Sequence, residues 1–155
     1  MILIDANIFL ELALDQENAD QCAALLSAVA EGKIEALVTH FAVHAVEASL
    51  RRGPHLAEFL QNIERSKGLR IHDTSSSDEV SASLLAEKMG KDFDDGLEYF
   101  VAKKLGMDAI VSFDRHLDGL DLRRVIPKQA LEEAMGVLDA HRTNSAEYHS
   151  GKRII

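Results

Sequence analysis

The 155-residue chain has no tryptophan and only eight other aromatic residues, six Phe and two Tyr, so its core cannot be built on large rings. Apolar residues still make up 46% of it, which leaves Leu, Ile, Val and Ala to fill the interior. The single cysteine, Cys22, excludes an internal disulfide and a cysteine-based zinc site of the usual kind. Flanked by Ala23, Ala24, Leu25 and Leu26, it reads as a small buried hydrophobe and not as a reactive thiol. No apolar run approaches membrane-spanning length, and Asp5 interrupts the apolar start too early for a signal-peptide core. The expectation is a soluble, cytoplasmic, single-domain protein with no membrane association. A domain of this length buries about two-thirds of its unfolded surface and needs no staples.

Positive charge is also scarce: 17 Lys and Arg stand against 26 Asp and Glu, a net charge of −9. The basic residues are scattered, so a nucleic-acid binder that relies on a massed basic surface is disfavoured. Action on nucleic acid is not excluded, because acids gathered around bound cations reverse the sign of the local field.

The pattern along the chain alternates short apolar runs with helical periods. Runs at Met1–Ile4, Ala36–Thr39, Leu69–His72, Ala109–Ser112 and Arg123–Ile126 read as strands. Between them, Cys22, Leu25, Leu26 and Val29 repeat at helical spacing up to a stop at Gly32, and Thr39 can cap a helix carrying Val43, Val46 and Leu50. Pro54 opens a helix with Leu56, Phe59, Leu60 and Ile63. Ser76-Ser77-Asp78-Glu79 has the form of a capping box, followed by Val80, Leu84 and Leu85 on a helix toward Met89. A further helix spans about Asp94–Lys104, and Pro127 opens a last one through Leu131, Met135 and Leu138. The predicted fold is α/β: one domain over residues 1–138, a parallel sheet of about five strands with helices on both faces, and a polar C-terminal tail over 139–155.

Acids stand where this architecture aims them at one rim. Asp5 follows the first strand and Asp114 lies just past the fourth, and the ligand crevice of an open parallel sheet lies beyond the carboxyl ends of its strands. Glu47 is on the helix after the second strand, and Asp94 and Asp95 start the helix feeding the fourth. An acid directly after a buried strand, as at Asp5, is poorly explained by folding needs.

The order of these motifs resembles the PIN-domain family. Ile4-Asp5-Ala6-Asn7-Ile8 is similar to its opening Asp-x-Asn signature, and Val46-Glu47 to its acid after the second strand. Phe93-Asp94-Asp95-Gly96-Leu97-Glu98-Tyr99, through Ala102, resembles its acid-led helix, with Asp95 as the third carboxylate; Asp114 in Ile110-Val111-Ser112-Phe113-Asp114 fits the fourth. The resemblance spans about residues 1–135 and implies a metal-dependent endoribonuclease of the kind found among VapC-type toxins. Asp5, Glu47, Asp95 and Asp114 would be the catalytic and metal-binding residues and would hold Mg²⁺ or Mn²⁺, hard cations suited to oxygen ligands. Hydrolysis would leave a 5′-phosphate and a 3′-hydroxyl. RNA would be the substrate, an antitoxin protein a partner, and the assembly a homodimer.

Asn7, Asp94, Ser112 and Asp118 are auxiliary candidates, and Arg115 and His44 are candidate substrate contacts. Ordinary readings stand beside these. Asn7 caps the following helix or orients Asp5; Asp92 or Asp94 caps the helix of Asp95; Ser112 caps locally or bonds an active-site carboxylate; Asp118 and Asp121 are turn acids. His40, His44 and Glu47 share helical spacing, so a zinc site on that face stays open. Gly96 departs from the family's common Ala and is expected to weaken its helix by about 1 kcal/mol. His116-Leu117 replaces a frequent Asp-Phe, which removes an auxiliary acid unless Asp118 substitutes. Two other functions compete: a phosphatase of the haloacid dehalogenase type, which also opens on a strand-end Asp but wants an Asp where Asn7 stands, and a catalytically idle RNA-binding or scaffold module.

Overall fold

Side chains that alternate along short strands need cover on two faces, and the computed structural model, which describes residues 1–136, provides it. Strands β1 (Ile2–Ile4), β2 (Ala36–Thr39), β3 (Leu69–His72), β4 (Ala109–Val111) and β5 (Arg124–Val125) form one parallel sheet in the order β3-β2-β1-β4-β5. Leu3, Leu37 and Ile110 point to one face, where they meet Ala82, Leu97, Val101 and Ala102. Ile4, Ala36, Val38 and Val111 point to the other, against Ile8, Leu25, Val29, Val46 and Phe59. Two apolar layers therefore sandwich the sheet.

The helices are α1 (Ala6–Ala13), α2 (Ala19–Ala30), α3 (His40–Leu50), α4 (Pro54–Arg65), α5 (Ser76–Met89) and α6 (Phe93–Lys104), and residues 127–136 are also helical. Helices α5 and α6 cover the Leu3 face, and α1 to α4 contribute to the opposite layer. The expected Leu138 end of the last helix and the tail over 139–155 lie outside the described residues.

Three local expectations need correction. Helix α1 follows β1 directly, and its cap is Asp5, whose carboxylate accepts from the Asn7 backbone N–H at 3.3 Å. Asn7 is thus inside the helix. The capping box of α5 sits one residue earlier, on Ser75 and Asp78, since three successive serines followed by two acids permit either register. On α5 the buried face is Ala82 and Ala86, while Val80 and Leu84 are 61% and 63% exposed. Small residues occupy that face because α5 and α6 lie very close: a Cβ on Gly96 would stand 2.4 Å from that of Ala86 and 3.0 Å from the Ala82 carbonyl oxygen. Gly96 therefore permits the contact between the helices and is more than a weak point in α6.

Candidate functional site

The strand order reverses direction between β1 and β4, and at such a switch point the loops beyond the strands part to leave a crevice. Asp5 leaves β1 on one side and Ser112-Phe113-Asp114 leaves β4 on the other. The two are tied together. Ser112 is fully buried, and its hydroxyl donates to Asp5 Oδ2 at 2.5 Å while accepting from the Asp114 backbone N–H at 2.9 Å. Asn7 Nδ2 donates to Asp5 Oδ2 at 2.5 Å and to Ser112 Oγ at 2.9 Å, and Asn7 Oδ1 accepts from the Phe113 N–H at 3.4 Å. Both open readings of Ser112 hold at once: it caps the chain leaving β4 and bonds a strand-end carboxylate. Asn7 orients Asp5 and does not cap.

Helix α6 brings further acids from the Leu3 face. Asp95, 7% exposed, stands in its first turn, and Glu98, 6% exposed, lies three residues on along the same face. Burial raises the Asp95 carboxyl above the ordinary carboxylate range, with the negative charges of Asp114 and Asp94 adding to it. Asp5 is likewise raised, chiefly by burial, against hydrogen bonds from Ser112 and Asn7 that lower it. Glu98 is raised furthest: burial leads, and the neighbouring Asp5 charge and carboxyl contact follow. Nothing in the sequence reading singled out Glu98; its signal was the three-residue step from Asp95 onto a buried helix face.

A 3-10 turn at Arg115–Leu117 follows Asp114, whose side chain accepts from the His116 N–H at 2.8 Å. The His116 imidazole Nδ1 stands 3.5 Å from Asp114 and 3.9 Å from Asp95. Asp95, Asp114 and His116 each offer a ligand atom within 4.8 Å of the others, an arrangement that could hold a cation. His116 was counted in the sequence as a lost acid, and it stands inside the acid group.

The other candidates divide. Asp94 is exposed in the first turn of α6 and acts on Asp95 and Glu98 through charge alone, while Asp92 occupies the cap position without a side-chain cap bond. Asp118 is held by Arg124, Nε at 2.7 Å, which lowers its carboxyl, so it is engaged away from the acid group. Arg124 also donates to the Ser112 carbonyl at 2.9 Å. Asp121 pairs with Lys103 at 2.7 Å. Arg115 is 88% exposed and reaches only toward Asp118, at 3.9 Å. Glu47 is half-buried on α3, with His44 Nε2 at 4.0 Å, and makes no hydrogen bond to the Asp5 set. His44 is itself exposed and stacks on His40, whose Nδ1 meets Asp73 at 2.5 Å. Among the described residues His40, His44 and Glu47 are not brought together as a metal-holding group, and neither Asp5 nor Glu47 joins the one that is.

Among the described residues no lysine or arginine forms an ion pair with Asp5, Asp95, Glu98 or Asp114. Buried carboxyls gathered without a basic partner carry a charge deficit, and oxygen donors with one imidazole fit a hard divalent cation. Asp95, Asp114 and His116 have ligand atoms close enough to hold it, and Asp5 is tied to the same loop through Ser112.

Comparison with known proteins agrees with this geometry. No curated protein sequence matches the chain. In fold it is similar to VapC20 from Mycobacterium tuberculosis, a sarcin-ricin loop cleaving toxin, at a TM-score of 0.64 and 14% identity over 81% of this chain and 98% of that one. A chain of a toxin-antitoxin complex from Klebsiella pneumoniae gives 0.65 at 12% identity, covering 82% and 98%. VapBC2 from Rickettsia felis, bound to a DNA fragment from its promoter, gives 0.59 at 14% identity, covering 81% and 98%. The family model described as PIN domain matches residues 1–116, which span β1 through Asp114 and with it the whole acid-bearing crevice. The chain belongs to the PIN-domain family.

Proposed function

We propose that this PIN domain is a divalent-metal-dependent endoribonuclease, Mg²⁺ or Mn²⁺ serving as cofactor, and the toxin of a toxin-antitoxin pair. The observation that carries the reading is the meeting of Asp95, Asp114 and His116 at the switch point, beside Asp5 and with no lysine or arginine partner among the described residues. Asp5, Asp95 and Asp114 would bind the cation, and Glu47, on the helix that leaves β2 at the same end of the sheet, would join them from the side. When bound, such a cation activates water and neutralises charge developing on a phosphodiester. Ser112 and Asn7 hold the Asp5 carboxylate in one orientation, so little rearrangement accompanies binding. Asp94 and Asp118 would have no direct part. Arg115, extended into solvent beside Asp114, is placed to meet a phosphate of the RNA, and exposed His44 could touch substrate at the α3 side.

Partner surfaces lie elsewhere. An apolar cleft of about 510 Å³, lined by Phe9, Leu12, Leu26, Phe59 and Ile63, opens among α1, α2 and α4, away from the acids, and suits an antitoxin segment. Val80 and Leu84, one turn apart and exposed on α5, suit a homodimer contact. No helix among the described residues is long and apolar enough to cross a membrane.

The test is hydrolysis of a structured RNA pool and of a phosphomonoester, side by side, with Mn²⁺ and with chelator. RNA cleavage that requires Mn²⁺, with the monoester untouched, is expected. Monoester hydrolysis would support the phosphatase alternative, and metal-indifferent binding of RNA without cleavage would support the idle module.

A further inference from the structure

Four of the six phenylalanines form two edge-to-face pairs, and the pairs sit in opposite surroundings. Phe9 and Phe59, with ring centroids 5.5 Å apart, are 6% and 7% exposed and belong to the core layer of α1 to α4. Phe41 and Phe93 are also 5.5 Å apart, at an interplanar angle of 79°, but Phe41 is 39% exposed and Phe93 only half-buried. Phe41 is the second residue of α3, which leaves β2 at the carboxyl end of the sheet. There β2 lies beside β1, whose carboxyl end is Asp5. Phe93 opens α6 two residues before Asp95, about 3 Å along the helix axis. The pair therefore bridges α3 and α6 at the rim that carries the acids. A latch between two helices needs apolar bulk, not a ring left open to water. RNA supplies a reason for the ring. With a net charge of −9 and no lysine or arginine paired to the crevice acids among the described residues, phosphate attraction is scarce. Affinity must then come in part from the bases, each of which has a π-face that an aromatic side chain can stack on.

We propose that Phe41, steadied by Phe93, is a base-stacking residue: it receives an unpaired RNA base beside the scissile phosphate and so fixes that phosphate at the acids. The inference rests on the ribonuclease reading of the crevice and extends it from the phosphate to the base. Phe93 holds the Phe41 ring at a steep angle, which limits its motion and lowers the entropy lost when a base stacks on it.

The test is equilibrium binding of two probes to the full chain at fixed salt in Mn²⁺: a short oligoadenylate, and a stable abasic oligomer of the same length. Every chain carries Asp95→Asn, so that the RNA stays intact during the titration. Phe41→Leu keeps apolar bulk and so preserves a latch, but it removes the ring. Phe41→Trp keeps a ring. If Phe41 stacks on a base, Phe41→Leu weakens oligoadenylate binding about 5-fold to 100-fold, the scale of one base–aromatic stack. Phe41→Trp binds that probe at least as well as the reference chain, and the abasic oligomer does not distinguish the three chains. Oligoadenylate binding unchanged by Phe41→Leu, an equal loss on both probes, or Phe41→Trp as weak as Phe41→Leu overturns the proposal and leaves the nuclease reading standing. A reference chain that binds neither probe overturns both. Should Phe41→Leu not fold, Phe41→Met makes the same comparison and is read the same way.

Discussion

Two adjacent aspartates open α6, and a single helical step separates their fates. Asp95 is 7% exposed and within 4.8 Å of ligand atoms on Asp114 and His116; Asp94 is turned to solvent. Asp95→Asn keeps size and hydrogen-bonding capacity, so the fold should survive, but it removes a negative ligand from a low-dielectric crevice. Single-turnover cleavage in Mn²⁺ should fall about 100-fold or more, comparable to losing one preorganised charge-stabilising group. RNA affinity at fixed salt should hold or rise, since one repulsive charge near the phosphates is gone. Asp94→Asn should do much less. The reverse ranking would place the third carboxylate one residue earlier. Residue types made most of this legible: Asp5, Asp95 and Asp114 follow from strand ends and family pattern. Glu98 and His116 did not, because a Glu inside a helix and a His in a turn are usually solvated; burial sets Glu98 apart, and His116, itself exposed, is marked only by its nearness to Asp114 and Asp95. The linking roles of Ser112 and Asn7 depend on two chain segments more than a hundred residues apart, a distance no local pattern carries.

At the scale of elements, the approach of α5 to α6 decides where Asp95 and Glu98 stand. All five strands and most helices were readable from apolar periods and breakers. Helix α1 was harder, because it has only eight residues and follows β1 directly, so one apolar run leads into the other with no breaker between them. Helix α5 misled for the opposite reason. Its large apolar residues Val80 and Leu84 look core-facing, yet the close contact with α6 admits only Ala82 and Ala86. Propensity alone would make Gly96→Ala stabilising by about 1 kcal/mol. The new Cβ would meet Ala86 Cβ at 2.4 Å, and neither atom is on a flexible arm, so the helices must separate. Overpacking of this kind costs about 1–3 kcal/mol, which cancels or outweighs that gain, so Tm should not rise and should fall by up to roughly 8 °C. The shift also moves Asp95, the preceding residue, and cleavage should drop more than stability does. A rise in Tm would mean that α5 and α6 can part freely.

For the molecule as a whole, the buried acids set how stability varies with pH. Asp5, Asp95 and Glu98 all have carboxyls raised by burial, so the folded state holds protons that the unfolded chain has already released. Wherever the folded state binds more protons, stability falls as pH rises. The loss begins above the ordinary carboxylate range, near pH 4, and continues until the raised groups have ionised. The surface acids Asp78, Asp118 and Asp121 act oppositely. Their lysine or arginine partners lower them, so what they contribute is present above that range and lost in acid. Being exposed, they contribute little. In chelator, Tm should therefore decline from pH 5 to pH 8. The net charge of −9 pushes the same way, so Asp5→Asn is the control: it should flatten the decline more than Asp121→Asn does. Mn²⁺ should reverse the trend, because it competes with protons for the same oxygens and binds better as they ionise. At 100 times its Kd it should add about 2.7 kcal/mol, or roughly 5–11 °C in Tm at neutral pH, and much less at pH 5. A Tm that rises with pH in chelator, or that ignores millimolar Mn²⁺ at pH 8, would show that these carboxyls neither repel in the free protein nor share a cation.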